Sequence, residues 1–265
     1  MKKYFVLPGL LIGALTVFFA CKKEYTRVAT GNTSDNGIAG LKIVHLSPKF
    51  TTINSKPDGL DIFFGTTKVN GPVLKFGTAY PAIGSPNAYA AVPSGDQSIK
   101  ITVGGTVTSD SLPVNTFKET LQEDELYTLL ITDNLTSSST GKNIWLHDVL
   151  PDPAAGTISI RFVNMVLNAP ATDSPYLFSK RRNLKLFPLV QKDSVTTFAG
   201  FPTIPSLDTF YVRLANVKDT KKNDSTVAQL LMTTNMPDQS AFTLYFAGIA
   251  DNPAAKRSLI YTQHR

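Results

Sequence analysis

The sequence predicts an all-β protein made of two tandem Ig-like β-sandwich domains. Three observations predict it. Short runs rich in Val, Ile, Thr, Tyr and Phe alternate with clusters of Gly, Pro, Asn and Asp, and no window of a dozen residues carries helical periodicity. That pattern occurs twice in the same order. Among the 265 residues, 42% are hydrophobic and 17% charged, so the chain holds enough apolar surface for sizeable cores and is too hydrophobic to stay disordered.

The first residues belong to neither sandwich. Lys2 and Lys3 precede an uncharged run from Tyr4 to Ala20, the basic-then-apolar order of a secretory signal over residues 1–20. The run is short for a bilayer span, and Pro8, Gly9 and Gly13 weaken it as a permanent helix. A single-span anchor is the alternative. Cys21, the one cysteine of the chain, stands where the run stops. The residues Phe18-Phe19-Ala20-Cys21 resemble a bacterial lipobox of the looser Bacteroidetes type. The resemblance implies cleavage before Cys21, a diacylglycerol on its thiol and lipid anchoring in the envelope, with the outer membrane favoured and the leaflet open. The alternative is a chance cysteine at an ordinary signal end. One cysteine also excludes a disulfide framework and a zinc site built from several thiolates. Residues 21–39, polar and aperiodic, read as a flexible tether.

Residues 40–152 then read as the first sandwich, with strands at Leu41–Leu46, Leu60–Phe64, Ala88–Val92, Ser98–Val103, Leu126–Thr132 and Asn143–His147. Residues 153–265 read as the second, divergent one, with strands at Thr157–Val163, Val195–Ala199, Thr209–Leu214, Ala241–Ala247 and Ser258–Thr262. Three matches relate them. Leu41–Ser47 resembles Ile158–Asn164 at an offset of 117, Val92–Ile101 resembles Ile204–Arg213 at 112, and Leu126–Asp133 resembles Ala241–Gly248 at 115. Ordered matches with nearly constant offsets are what a duplicated domain with loop insertions gives.

Leu41–Asp61 resembles the opening of the bacterial domain of unknown function 4397 (DUF4397). The family's strand, His-x-Ser-Pro and following Asp fall here on His45, Ser47, Pro48 and Asp61. The resemblance covers the first repeat well and the second in outline, where Phe162, Asn164 and Met165 stand in place of His, Ser and Pro. It implies an Ig-like sandwich in a secreted or surface protein, with no established enzymatic activity.

The chain lacks the nucleophile elbow, phosphate loop, dinucleotide fingerprint and HExxH or CxxC spacings of common enzymes. His45, Ser47 and Asp61 hold the ingredients of a catalytic triad. Their spacing puts His45 and Ser47 on one strand face but fixes no nucleophile–base contact, so the reading is structural, with Ser47 and Asp61 satisfying a partly buried His45. No enzyme and no cofactor are expected. The carboxylates of Asp58–Asp61 and Glu123–Glu125 match no known calcium loop, and no metal is expected. His264, the penultimate residue, reads as frayed.

Charge is uneven. Residues 1–39 carry a net +3, residues 40–152 carry −3 and residues 153–265 carry +6. Within the last segment Lys180, Arg181, Arg182 and Lys185 form a basic loop flanked by Tyr176, Phe178 and Phe187, a candidate patch for an anionic ligand. Such a loop could meet nucleic acid, an acidic glycan or lipid headgroups, and export argues against nucleic acid. A plain solvated loop is the commonest reading of such a run, and contact with anionic surface polysaccharide is the functional alternative. Ser111, Ser194 and Ser225, each after an Asp in a predicted loop, resemble Bacteroidetes O-glycosylation acceptors. The function expected is non-catalytic surface binding or adhesion to a glycan or protein, the alternative a structural subunit of an envelope assembly. The sequence leaves the oligomeric state open.

Overall fold

The computed structural model describes residues 26–29, 37–48, 59–82, 88–104, 113–132, 143–218, 224–251 and 256–264; the predicted signal, Cys21, Asp58 and Ser111 lie outside them. Every regular element among the described residues is a strand. The first half of the chain supplies β1 (Thr26–Ala29), β2 (Ile38–His45), β3 (Leu60–Phe64), β4 (Thr67–Lys68), β5 (Ala79–Tyr80), β6 (Ala88–Pro93), β7 (Gly95–Val103), β8 (Pro113–Leu121), β9 (Leu126–Ile131) and β10 (Asn143–His147). The second supplies β11 (Thr157–Leu167), β12 (Pro175–Ser179), β13 (Leu184–Phe187), β14 (Ser194–Val195), β15 (Ala199–Pro202), β16 (Thr209–Lys218), β17 (Asp224–Leu231), β18 (Ala241–Ile249) and β19 (Ser258–Gln263).

These strands form four sheets. Two come from the first half, in the orders β1-β6-β2-β9-β10 (with β5 also on β2) and β4-β3-β7-β8. Two come from the second, β14-β11-β18-β19 (with β15 also on β11) and β13-β12-β16-β17. Side chains alternate across a strand, and this alternation sorts the cores. Leu41, Ile43, Leu129 and Ile131 face β3 and β7 to fill the first sandwich, while Ile158, Ile160, Phe162, Phe242 and Leu244 fill the second against β12 and β16. The opposite faces of the same strands meet each other: Val44, Leu46 and Leu130 pack with Val163, Met165, Tyr245 and Ala247 in a third core. The sheets of β2 and β11 are thus central, buried on both faces, and the sheets of β3 and β12 are outer. Each large aliphatic or aromatic side chain buried in this seam contributes about 1.5–3 kcal/mol.

The strand pairing recurs between the halves. β2 runs parallel to β9 with Gly40 opposite Leu126, and β11 runs parallel to β18 with Ser159 opposite Ala241. The final strands end alike, the Asp148 amide donating to the Leu126 carbonyl at 2.7 Å and the His264 amide to that of Ala241 at 2.8 Å. Setting Leu126 against Ala241 therefore sets Lys42 against Arg161, Thr128 against Thr243, His45 against Asn164 and Asp148 against His264. The first-strand offset is 119, and Asn164 rather than Phe162 occupies the place of His45. The sequence match slipped by two residues, a shift that preserves strand alternation and so leaves the apolar pattern intact.

Two further expectations are corrected. Within the expected tether, β1 pairs in parallel with β6 from Thr26 opposite Ala88 to Ala29 opposite Ala91, and Ile38 and Ala39 already belong to β2. Added backbone pairing at a sheet edge outweighs a polar composition. Of the strands that periodicity does not reveal, β8, β12, β13 and β17 all lie in the outer sheets. There solvent-facing residues such as Lys118, Thr120 and Lys185 dilute the apolar signal.

Candidate functional site

Among the described residues, a gathering of chemically capable side chains lies in the seam. Arg161, from β11, donates through Nη2 to Asp148 Oδ1 at 2.8 Å and through Nε to Thr243 Oγ1 at 3.0 Å. The other Asp148 oxygen accepts from Thr128 Oγ1 and, at 3.2 Å, from the Tyr89 hydroxyl. His264 closes the set, with Nδ1 at 2.6 Å from Tyr89 Oη and Nε2 at 2.7 Å from Thr243 Oγ1. Lys42 donates to the Gln263 carbonyl at 3.3 Å and lies 4.6 Å above the Tyr89 ring. On the other side of the seam Arg161 lies 4.6 Å above Phe198. Each half thus contributes a cation on its first strand, a ring beneath it and a threonine on its parallel partner. The two last strands end on opposite chemistries, Asp148 and His264.

Burial sets the protonation states. Desolvation lowers Lys42 to about 8, against which Asp148 pulls upward. His264 lies 4.0 Å from Asp148, yet desolvation, with Arg161 and Lys42 beside it, holds its ring well below the usual histidine range. The ring is neutral, and the Tyr89 bond to Asp148 is satisfied together with both ring nitrogens when Nδ1 carries the proton. Burial pushes the Tyr245 hydroxyl up to about 12. His–Asp–Tyr–Thr sets perform proton transfer when substrate reaches them. Here Arg161 is 5% exposed, Asp148 3% and His264 0%, and the groups satisfy one another. The arrangement fastens two sheets together. His264 is therefore not frayed, as its place near the chain end suggests. The signal for this cluster was a cation at the same position of two otherwise apolar strands, Lys42 and Arg161.

The sequence-predicted residues scatter. His45 is buried rather than partly exposed, its Nδ1 accepting from the Ser47 backbone amide at 3.3 Å while its ring meets Phe76 edge-on. Ser47 and Pro48 are buried beside it. Asp61 belongs to another sheet. Leu60 and Ile62 face the first core, so Asp61 faces away from it, where Lys68 Nζ approaches to 2.8 Å. His45 keeps a structural role, but through a local turn, and Asp61 neutralises a lysine. Asn164 repeats the turn, its Oδ1 accepting from the Val166 amide at 3.4 Å.

Of the basic loop, Arg182 leaves the ligand patch. Its Nη1 reaches Asp208 at 2.5 Å and its Nη2 the Pro202 carbonyl at 3.0 Å, with a side chain only 5% exposed. Asp208 also accepts from Ser179 Oγ and from the amides of Arg181 and Thr209. Lys180, Arg181 and Lys185 remain exposed. Lys185 sits 4.2 Å above Tyr176, and Arg213 stacks over Phe178 at 4.5 Å and Tyr211 at 5.1 Å. The register places Tyr176 opposite Arg213 and Phe178 opposite Tyr211, so these side chains share the outward face of the second outer sheet. Glu125 pairs with His147 at 2.7 Å, and Glu119 lies inside β8. No group of three or more His, Cys, Asp or Glu side chains capable of holding a metal occurs among the described residues. Ser194 and Ser225 lie in edge strands β14 and β17 rather than in loops.

Residues 39–174 match the family described as Domain of unknown function (DUF4397). The match covers just over half the chain and continues past the first sandwich through β11. No curated protein matches. Among solved structures, the Bacillus anthracis TIE protein is 10% identical with a TM-score of 0.20; the match covers 84% of this chain and 35% of that one, so the chain spans about a third of its length. A streptococcal virulence factor studied for alpha-glucan binding is 10% identical over 84% of this chain and 97% of its own, with a TM-score of 0.22. A Bacteroides ovatus protein proposed to act in cell adhesion is 13% identical over 88% and 97%, with a TM-score of 0.21. At such scores none carries its activity to this chain.

The His45 environment gives a pH prediction. Desolvation lowers its pKa to about 3 from 6.5, so between these values the unfolded chain binds more protons than the folded one and stability falls as pH drops. His45→Asn, the residue of the equivalent position, keeps an acceptor for the turn and removes this titration. Urea unfolding between pH 7 and pH 4 should show a shallower loss of stability in the variant; equal slopes would contradict the assignment.

Proposed function

The chain belongs to the DUF4397 family, and on that footing we propose that it is a non-catalytic envelope protein, lipid-anchored through Cys21, whose tandem Ig-like sandwiches act as one rigid arm for binding an acidic surface glycan. The observation that carries this reading is the sorting of cations. Lys42, Arg161 and Arg182 are spent on buried partners, whereas Lys180, Arg181 and Lys185 stay exposed near the partly exposed Phe178, Tyr211 and Arg213, with Lys185 over the buried Tyr176 ring. The partly exposed rings of Phe178 and Tyr211 with flanking cations suit a carboxylated polysaccharide, whose apolar sugar faces stack while its carboxylates meet Lys and Arg.

A second reading, a subunit joined to an envelope assembly through a sheet edge, rests on β17, the outermost strand of its sheet, where Leu231 is 59% exposed. Retention of polyuronate by the protein alone decides against it.

The triple charge reversal Lys180→Glu, Arg181→Glu, Lys185→Glu should weaken binding to immobilised polyuronate roughly tenfold or more at low salt, with the melting temperature kept, because exposed charges act mainly through a screened field. Unchanged retention would overturn the assignment of the face. For the anchor, Cys21→Ser should move the protein from the membrane to the soluble fraction of expressing cells; continued membrane association would refute lipidation at that residue.

A further inference from the structure

A cleft of about 230 Å³ opens at the end of the second sandwich. It lies where the parallel strands β11 and β18 run out, with Val166 and Phe246 as its floor and Pro170, Pro175 and Leu214 on its walls. Asp173, Gln191, Lys192 and Arg257 supply its charged and amide groups.

The walls are built rather than incidental. Asn164, buried at the base, donates Nδ2 to the Val190 carbonyl at 2.9 Å, and the Val190 amide donates to the Pro175 carbonyl at 2.9 Å. These bonds hold the segment carrying Gln191 and Lys192 over the opening. Opposite, the Asp173 amide closes a turn on the Pro170 carbonyl at 2.9 Å, and Arg257 Nη1 reaches Asp173 Oδ2 at 3.4 Å. Arg257 is brought there by close packing of its backbone on Gly248. A Cβ on Gly248, at φ +126°, would meet the Lys256 carbonyl oxygen at 2.6 Å and Arg257 Cα at 2.7 Å. Left-handed backbone also flanks the cleft at Asn168, Leu189 and Asp193, with φ of 53°, 49° and 57°. Asn and Asp tolerate this region, but Leu189 does not adopt it cheaply. Strain of this kind persists where surrounding bonds over-determine it, as the two bonds of Val190 do here.

We propose that this cleft binds one acidic sugar residue of the hexuronate class. Its volume lies below the ~300 Å³ at which drug-sized sites begin, so it takes a single ring rather than an oligomer. Arg257 and Lys192 against Asp173 give it a net positive charge. A guanidinium held by one long contact keeps donors for a sugar carboxylate, and Lys192 is exposed to share it. Asp173 and Gln191 accept and donate to ring hydroxyls, while the proline and leucine walls cover the apolar face of the ring.

The cleft also adjoins the aromatic face described above. Pro175 pairs with Leu214, and the next rung of the same ladder is Tyr176 with Arg213. The hexuronate is thus either a free sugar or the terminal residue of a chain that continues across that face; only this last point rests on the glycan reading.

Calorimetric titration of the intact protein with glucuronate, glucose and a glucuronate oligomer tests the proposal. Glucuronate should bind, and glucose at least tenfold more weakly. Lys192→Glu, an exposed change that spares the fold, should weaken glucuronate at least tenfold without moving the melting temperature, and Arg257→Gln should do the same. Tighter binding of the oligomer marks the chain end as ligand, and equal binding marks the free sugar. Absence of glucuronate binding, equal binding of glucose or an unaffected Lys192→Glu would overturn the cleft assignment. The Lys180, Arg181 and Lys185 reversals leave glucuronate binding intact if the cleft is the site, so unchanged polymer retention in those variants refutes the outer face and not the cleft.

Discussion

A buried ion pair between Arg161 and Asp148 governs how the two halves of this protein meet. Removing two charges from water costs several kcal/mol per ion, and their attraction repays this only when every remaining lone pair and proton is matched. The matching is visible around the pair: Thr128 and Tyr89 complete Asp148, and Thr243 and the Phe198 face complete Arg161. The pair and these partners come from β6, β9, β11 and β18, together with the segments after β10 and before β15. The charges are satisfied only when both central sheets are present and in register. Apolar burial around Val44, Leu130, Val163 and Tyr245 supplies adhesion; the polar set supplies alignment, since a slip of either sheet would strand a buried charge.

This constraint decides where recognition can occur. Four strands, β2, β9, β11 and β18, lose both faces to packing, so the middle of neither central sheet has a face to offer a ligand. What is left are the outer sheets and the ends of the sandwiches. The exposed cations and half-exposed rings gather in these regions of the second half, on the sheet of β12 and β16 and around the cleft beneath Arg257. The first half carries a net −3 and uses Asp61 and Lys68 as a mutual pair. A scaffold whose halves cannot move apart presents such groups at fixed spacing, which reduces the entropy lost when a long ligand engages several of them.

The strands of the central sheets were legible in the sequence because two-sided burial makes them long, continuous apolar runs, as in Leu126–Ile131 and Ala241–Ile249. Their internal register was not. Isoleucine, valine and phenylalanine are interchangeable in a hydrophobic pattern, so the two-residue slip that set Phe162 against His45 went unmarked; the polar series Lys42, His45 and Arg161, Asn164 would have fixed it. Proximity to a terminus predicts fraying only when no tertiary partner waits, and the partners that hold His264, Tyr89 and Thr243, are far away in sequence. The basic run was legible as composition. That Arg182 turns inward to Asp208 while its neighbours stay exposed depends on the β12–β13 turn and on the Pro202 carbonyl, neither of which the run itself encodes.

The coupling of the halves through the seam is open to one direct measurement. Trp145 is the one tryptophan of the chain and packs in the first core against Phe117 and Tyr127, whereas Arg161 belongs to the second half. Denaturant unfolding of the intact protein and of Arg161→Ala, followed by Trp145 fluorescence and by far-ultraviolet circular dichroism, reads both halves at once. Loss of one partner from a buried pair costs about 3–5 kcal/mol. The account predicts coincident transitions in the wild type and a shift of the Trp145 transition by that amount in the variant. A Trp145 transition unmoved by Arg161→Ala, with the dichroism splitting into two steps, would contradict it.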